Sequence, residues 1–293
     1  MWSKTAEPVR STHIGSVVAM MIGMLAIGML AVGCNDPAEK PAHAARTSPQ
    51  TEAMLGAELL PPAPEGKRWE LIWHDEFEGD TIDESKWNVR ADGPRAEGWW
   101  LPEAVELDGQ GHLVMKVLER DGKFITGCIE TRGKFERAFG YYVARIQLQS
   151  QPGHWSAFWL FNDGIYQVGD DAREGAEIDI MEKPRLDDRV EHAIHWDGYD
   201  EHHRHAGKVV EVPGIMEGFH TFALLWTPDE YVFYVNEQET WRTSAGGVCQ
   251  VPLYIKLSGE VGIWGGDIRE ATLPDAFLVD YVRVYDLVEA DDE

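Results

Sequence analysis

The sequence predicts an all-β fold, a sandwich of two antiparallel sheets, on three observations. From about residue 69 the chain breaks into short runs rich in aromatic and β-branched residues, separated by Gly, Asp, Asn and Pro. Several of these runs alternate apolar and polar residues with a period of two. No helical period lasts longer than two turns, and no segment repeats.

The segments ahead of the sandwich come first. Lys4 and Arg10 precede an uncharged apolar stretch at 14–33, the pattern of an export signal, assigned to residues 1–34. It ends in Leu30-Ala31-Val32-Gly33-Cys34, which resembles a bacterial lipoprotein cleavage box with Cys34 as the lipidated residue, although Ala31 stands where leucine is usual. An apolar run of about twenty residues can also span a bilayer as an uncleaved anchor, so both readings stay open. Either way the remainder faces outward, as an exported protein touching a membrane only through the signal or a lipid. Residues 35–64 are rich in Pro, Ala, Glu and Thr without an apolar period and are expected to form a disordered tether. A single domain follows at 65–288, then an acidic tail at 289–293.

Within the domain, residues 141–149 set Tyr142, Ala144, Ile146 and Leu148 against Arg145, Gln147 and Gln149, a half-buried strand. Residues 220–235 hold two strands around Thr227-Pro228-Asp229-Glu230, where proline presets a turn and aspartate tolerates its second centre. Val279-Asp280-Tyr281-Val282-Arg283-Val284-Tyr285 reads as a closing strand.

Composition narrows the partner. The chain carries 51 acidic against 26 basic residues, a formal charge of −25. Nucleic acid and anionic membrane surfaces both require a lysine and arginine footprint that this balance does not supply. Twelve tryptophans need a use, as core filler or as exposed platforms. Cys34, Cys128 and Cys249 are too few for a disulfide scaffold; a Cys128 to Cys249 bridge stays open. A monomer is expected.

The chemistry concentrates in Glu177-Ile178-Asp179-Ile180-Met181-Glu182. Residues two apart on a strand share a face, so Glu177 and Asp179 point together while Glu182 points away. One extra residue at Ile180-Met181, a β-bulge, restores the parity and sets all three acids in one row. The α-carbons of Glu177 and Glu182 would then be about 13 Å apart. Inward-leaning side chains could bring the carboxyl groups to the roughly 5 to 5.5 Å used by retaining glycosidases. An ionised Glu177 would raise the pKa of Glu182 and keep a proton there for donation. Two other readings of the same residues are a solvated strand and a calcium site with hard oxygen ligands.

With these acids in place the sequence resembles glycoside hydrolase family 16, the family of laminarinases, lichenases, agarases and carrageenases. The resemblance covers about residues 69–287. It rests on Trp73-His74-Asp75-Glu76-Phe77, on Phe139-Gly140-Tyr141-Tyr142-Val143-Ala144-Arg145-Ile146 and on Gly153-His154-Trp155-Ser156-Ala157-Phe158-Trp159-Leu160. Two further blocks are Phe219-His220-Thr221-Phe222-Ala223-Leu224-Leu225-Trp226-Thr227-Pro228 and the closing strand. The resemblance implies a concanavalin-like β-jelly roll, with Glu177 as nucleophile, Asp179 as assistant and Glu182 as acid/base, in the bulged form of the motif. It implies no cofactor for catalysis but a structural calcium, whose matching residues would be Glu76 and Asp280, with the Gly111 carbonyl as a third ligand. His154, Ser156 and Ala176 depart from common family residues without touching the acids.

The expected substrate is a polysaccharide. Trp155 and Trp159, four apart on a strand, share a face and are candidate sugar platforms or core. Trp99, Trp100 and Trp264 are further candidates, and His195, on the strand after the acids, is a candidate partner of substrate or acid. His202-His203-Arg204-His205 reads as a solvated loop, since zinc ligands are usually more separated. The expected activity is an endo-acting, retaining β-glycanase of β-1,3-glucan or mixed-linkage glucan. Arg132, Arg145 and Arg173 could form a basic subsite and keep agar-type galactan open. The rival of another class is a lectin-like carbohydrate-binding protein on the same fold.

Overall fold

The computed structural model describes residues 60–91, 93–169 and 171–290; the export signal with Cys34, most of the tether and the end of the acidic tail lie outside them. The described residues form two stacked sheets with short 3-10 turns between strands. One sheet has eight strands. Its order is Arg204–Glu211, Arg189–Trp196, Glu177–Glu182, His154–Phe161, Leu253–Val261, Cys128–Glu130 and Asn88–Val89, with Glu136–Arg137 joined to Leu253–Val261. The other has eleven, with Gly140–Gln147 lying between Phe219–Trp226 and the long closing strand Asp275–Glu289. The ladders are antiparallel except for a short parallel contact between Gly98–Trp100 and Lys123–Thr126.

Alternation decides what each strand gives to the core and what it gives to the open face. In Leu253–Val261, Leu253, Ile255 and Leu257 enter the main core. Tyr254, Lys256, Ser258 and Glu260 therefore take the opposite face, and all four are buried there. In Gly140–Gln147 the expected core residues Tyr142, Ala144 and Ile146 join the main core, as does Leu148 beyond its end. The other face of this strand is not left to solvent as expected: Tyr141 and Val143 are also buried, because Leu60, Trp69 and Leu71 pack over that side. The predicted turn closes through Thr227 N to the Glu230 carbonyl at 3.0 Å. The Thr227 hydroxyl also accepts from the backbone N–H groups of Asp229 and Glu230.

Near the start of the domain, buried Asp75 accepts from Trp87 Nε1 at 2.7 Å and from Phe77 N at 3.0 Å, tying Trp73-His74-Asp75-Glu76-Phe77 to the core. Cys128 and Cys249 are separate buried thiols, so the bridge left open by the sequence is not formed. Burial pushes the Cys128 thiol up to about 12, as expected for an inert core cysteine.

Candidate active site

The acid strand Glu177–Glu182 lies between His154–Phe161 and Arg189–Trp196. Against the first, Phe158 pairs with Met181 and Trp159 with Asp179, leaving Ile180 as the extra residue. Against the second, Asp179 pairs with Ala193 and Glu182 with Glu191, so two residues again face one. This is the bulge the parity argument requires, and the core shows its cause. Ile178, Ile180 and Met181 all enter the main core, two of them in succession, and only an extra residue lets consecutive side chains do so while Glu182 returns to the side of Glu177. Buried His192 bridges the irregularity: its Nδ1 lies 2.7 Å from the Ile180 carbonyl and its Nε2 2.9 Å from Thr240 Oγ1. A carbonyl only accepts, so Nδ1 carries the hydrogen.

Each acid has its own surroundings. Glu177 accepts from the Tyr199 hydroxyl at 2.5 Å. Burial, followed by the Glu177 charge, pushes the phenol above its ordinary value and keeps it a donor. Glu182 accepts from Trp155 Nε1 at 3.0 Å. Its carboxyl is pushed well above the usual range by burial and then by Asp179, with the Trp155 bond opposing. Asp179 is likewise raised, by burial and then by the Glu177 charge. Its Oδ2 makes no hydrogen bond and stands 3.3 Å from His195 Nε2. The arrangement therefore offers a protonated carboxyl at Glu182 and a hydroxyl-supported carboxylate at Glu177, the pairing of acid and nucleophile that glycoside cleavage needs.

Glu177, Asp179 and His195 bring one donor atom each within 4.8 Å of one another, so they could together hold a cation. A cation there would occupy the Glu177 oxygens that the reaction needs, which favours reading the trio as an acid–base cluster. His195 sits opposite Glu177 in the ladder, its Nδ1 2.9 Å from His203 Nε2. The rings of His203 and His205 stack on His195 at centroid distances of 5.1 and 5.7 Å. The expected solvated loop at 202–205 is thus corrected in part: Arg204 and His205 begin a strand, and one of the three histidines, His205, walls the cleft beside the acids.

The cleft has two compartments that share Glu177. One, of about 520 Å³, is lined by Glu177, Glu182, Glu191, His195, His205 and Trp264, among others. Trp264 is 38% exposed and meets Trp155 edge-on at 5.2 Å, a suitable wall for a sugar ring. Its turn is fixed by hydrogen bonds from Gly153 N to the Gly265 carbonyl and from Gly262 N to the Gly153 carbonyl. Gly153 has φ +85°, and a Cβ there would fall 2.1 Å from Ile268 Cα, so only glycine fits.

The other compartment, of about 650 Å³, has walls that include Trp100, Trp159, Tyr199 and Tyr254 together with Arg90, Arg95, Arg132 and Lys256. Trp100 and Trp159 are each only 4% exposed, so they are walls rather than open platforms. Trp159 Nε1 donates to Ser258 Oγ, which donates to Glu260, whose other oxygen accepts from Arg95. Lys256 stands 3.9 Å from the Trp159 ring centre and 5.0 Å from that of Trp100. Burying an ammonium costs several kcal/mol, and a desolvated cation–π contact returns about 2 kcal/mol or more of it.

Of the expected basic residues, Arg132 lines this compartment. Arg145 belongs to the other sheet, where it pairs with Asp280, and Arg173 is not among the lining residues. Trp99 packs under Lys123 instead of facing the sugar site. The residues expected around a structural calcium have other partners in this structure. The Glu76 carboxylate is held by Arg283 through two bonds of 2.8 and 2.7 Å, and Asp280 by Arg145. Two carboxylates already neutralised by guanidinium groups do not fit a calcium shell. The Gly111 backbone does approach the Glu76 carbonyl, with a Cβ there falling 3.9 Å from that oxygen. Sequence reasoning missed Tyr199, Lys256 and Glu260.

The sandwich fold and the row of three acids define a glycosidase. The chain belongs to glycosyl hydrolases family 16, whose model matches residues 95–283. It hydrolyses O-glycosyl bonds as an endo-β-glycanase. It is 29% identical over 270 residues to a β-glucanase of Rhodothermus marinus, covering 81% of this chain and 91% of that protein. It is 30% identical over 236 residues to a keratan-sulfate endo-1,4-β-galactosidase of Sphingobacterium multivorum, covering 75% of this chain but only 56% of that protein. The solved endo-β-1,3-glucanase of Pyrococcus furiosus superposes with a TM-score of 0.63 at 27% identity, covering 79% of this chain and all of that one.

Proposed function

We propose that the chain is a retaining, endo-acting β-glycanase whose backbone substrate is a β-1,3-glucan or mixed-linkage glucan, with Glu177 as nucleophile, Glu182 as acid/base and Asp179 positioning Glu177. The observation that carries this reading is the bulged strand, which sets a half-buried Glu182 with a raised pKa on the same face as Glu177. Glu182 protonates the leaving glycosidic oxygen while Glu177 attacks the anomeric carbon. Once Glu177 is esterified its charge is gone, the pKa of Glu182 falls, and Glu182 takes the proton of the incoming water. The substrate is suggested by the relatives: the Rhodothermus protein is a β-glucanase and the Pyrococcus one an endo-β-1,3-glucanase.

A galactan reading has its own support, a galactosidase relative and the cation-lined compartment beside Glu177. Reducing-end release from a panel of glucans and galactans, with the anomeric configuration of fresh products followed by NMR, decides both questions. Retention with Glu177→Gln inactive by about 10⁴-fold is expected; binding without cleavage or rejoining of chains would make the protein a lectin.

The same proposal places the domain outside the cell, tethered through a lipidated Cys34. The basic residues Lys4 and Arg10, the apolar stretch and the small residues before the cysteine support it. Cys34→Ser should move the protein from the membrane to the soluble fraction, and an unchanged membrane fraction would argue for an anchor.

A further inference from the structure

The compartment on the Glu177 side departs from the rest of a strongly acidic molecule. Arg90, Arg95, Arg132 and Lys256 line it. Their acidic partners are Glu130, shared by Arg90 at 2.6 Å and Lys256 at 3.7 Å, then Glu260 for Arg95 and Asp163 for Arg132. With Glu177, which also lines the compartment and adds to the field at Arg95, four acids face the four cations. Lys256 is the one cation of the four without a hydrogen-bonded partner. Its side chain is only 6% exposed, it makes no hydrogen bond, and the Glu130 oxygen at 3.7 Å is beyond hydrogen-bonding reach.

An ammonium has three N–H donors, and a buried one without an acceptor is costly unless a ligand supplies the acceptor. The rings of Trp159, Trp100 and Phe161 surround Lys256 at 3.9 to 5.4 Å, so its open direction is the compartment it lines. Burial, with Arg90 and Arg95 nearby, draws its pKa down while Cys128 and Glu130 hold it up; an incoming anion would act in the same sense as Glu130. The compartment of about 650 Å³ is large enough for a sugar residue with a substituent. At the reacting centre the carboxyl groups of Glu177, Asp179 and Glu182 offer no such cation.

We propose that this compartment is a subsite for an oxyanion substituent, a sulfate ester or a carboxylate, on the sugar residue bound next to Glu177, with the Lys256 ammonium as its main donor and Arg132 and Arg95 at its margins. The inference rests on the reading of Glu177 as a reacting carboxylate of the cleft, and it concerns the substituent rather than the backbone linkage.

The test compares kcat/KM on matched pairs: β-1,3-glucan against its carboxymethylated and sulfated derivatives, and neutral agarose against a sulfated galactan. The wild type is expected to favour an anionic member of a pair, and added sodium chloride should lower that preference. Lys256→Gln should reduce the anionic-to-neutral ratio by about 10-fold or more, the scale of a lost charge-assisted hydrogen bond, and Lys256→Arg should restore part of it. The sulfated and carboxymethylated arms show which oxyanion is taken. Equal loss on both members would mean that Lys256 only balances Glu130, and the proposal would be wrong.

A wild type that prefers neutral chains, or whose preference ignores salt, overturns it without any variant. If no glycan is cleaved, the glycanase reading fails separately. The subsite is then judged by calorimetry of wild type with anionic and neutral oligosaccharides, where equal affinity rejects it.

Discussion

Around Glu182 the cleft is walled by imidazoles and indoles, those of His195, His205, Trp264 and Trp155, whereas the compartment beyond Glu177 adds guanidiniums, a buried ammonium and phenols to the indoles of Trp100 and Trp159. The two acids sit on one six-residue strand, so their difference comes from neighbours and not from local sequence. Glu182 is half-buried with a single indole donor, and desolvation together with Asp179 favours its protonated form. Glu177 has a phenol donor at 2.5 Å and Arg95 within electrostatic reach. Two chemically equal side chains are thereby given opposite tasks.

The sharpest way to break this comparison is to remove the proton donor. Glu182→Gln should lower kcat on polysaccharide by about 10³-fold, within the usual range for general acid catalysis. An aryl glycoside with a good leaving group, which needs no protonation, should lose far less in its glycosylation step, and burst kinetics would show the difference. Equal loss on both substrates would remove Glu182 from the acid role.

A smaller effect is expected at the other end. Tyr199→Phe deletes one hydrogen bond to a charged group, so kcat/KM should fall by about 10- to 100-fold, with circular dichroism unchanged because Tyr199 is 43% exposed. Smallest is Trp155→Phe. The Trp155 bond lowers the Glu182 pKa, so its loss should raise that pKa and move the alkaline limb of the kcat profile to higher pH. A shift to lower pH would contradict the assigned direction.

Much of this was legible in the sequence because it is local. The turn at Thr227-Pro228-Asp229-Glu230, the alternation around Tyr142 and the parity of the acid strand each depend on residues a few positions apart. The bulge followed from counting, and the core burial of Ile180 and Met181 gives its cause. The lining of the Glu177 compartment was not legible in this way. Lys256 faces the cleft because Leu253–Val261 pairs beside His154–Phe161, setting it opposite Trp159 across nearly a hundred positions of chain. Tyr199 reaches Glu177 from the loop after the next strand. A signal did exist for Lys256, a lone charge inside Leu253-Tyr254-Ile255-Lys256-Leu257, since a cation in an apolar run must be either snorkelling or matched. The arginines beside Glu76 and Asp280 were not legible either, since a resemblance names positions but not the neighbours that pair with them.

The imidazole of His192, which closes the bulge, carries a consequence for acid tolerance. Burial lowers its pKa to about 4 from the ordinary 6.5, so the unfolded chain binds its proton more readily than the folded one. Stability from this group is whole above about pH 6.5, declines as the pH falls and is fully lost below about pH 4, a difference of about 3 kcal/mol. Melting temperature measured across this window should fall more steeply in the wild type than in His192→Gln. Protonated Nε2 would donate to Thr240 Oγ1, which already donates to the Phe233 carbonyl at 3.1 Å and is free to accept, so the loss comes from burying the imidazolium charge and not from a broken contact. Souring the medium therefore costs stability beside the extra residue that sets the spacing of the catalytic pair.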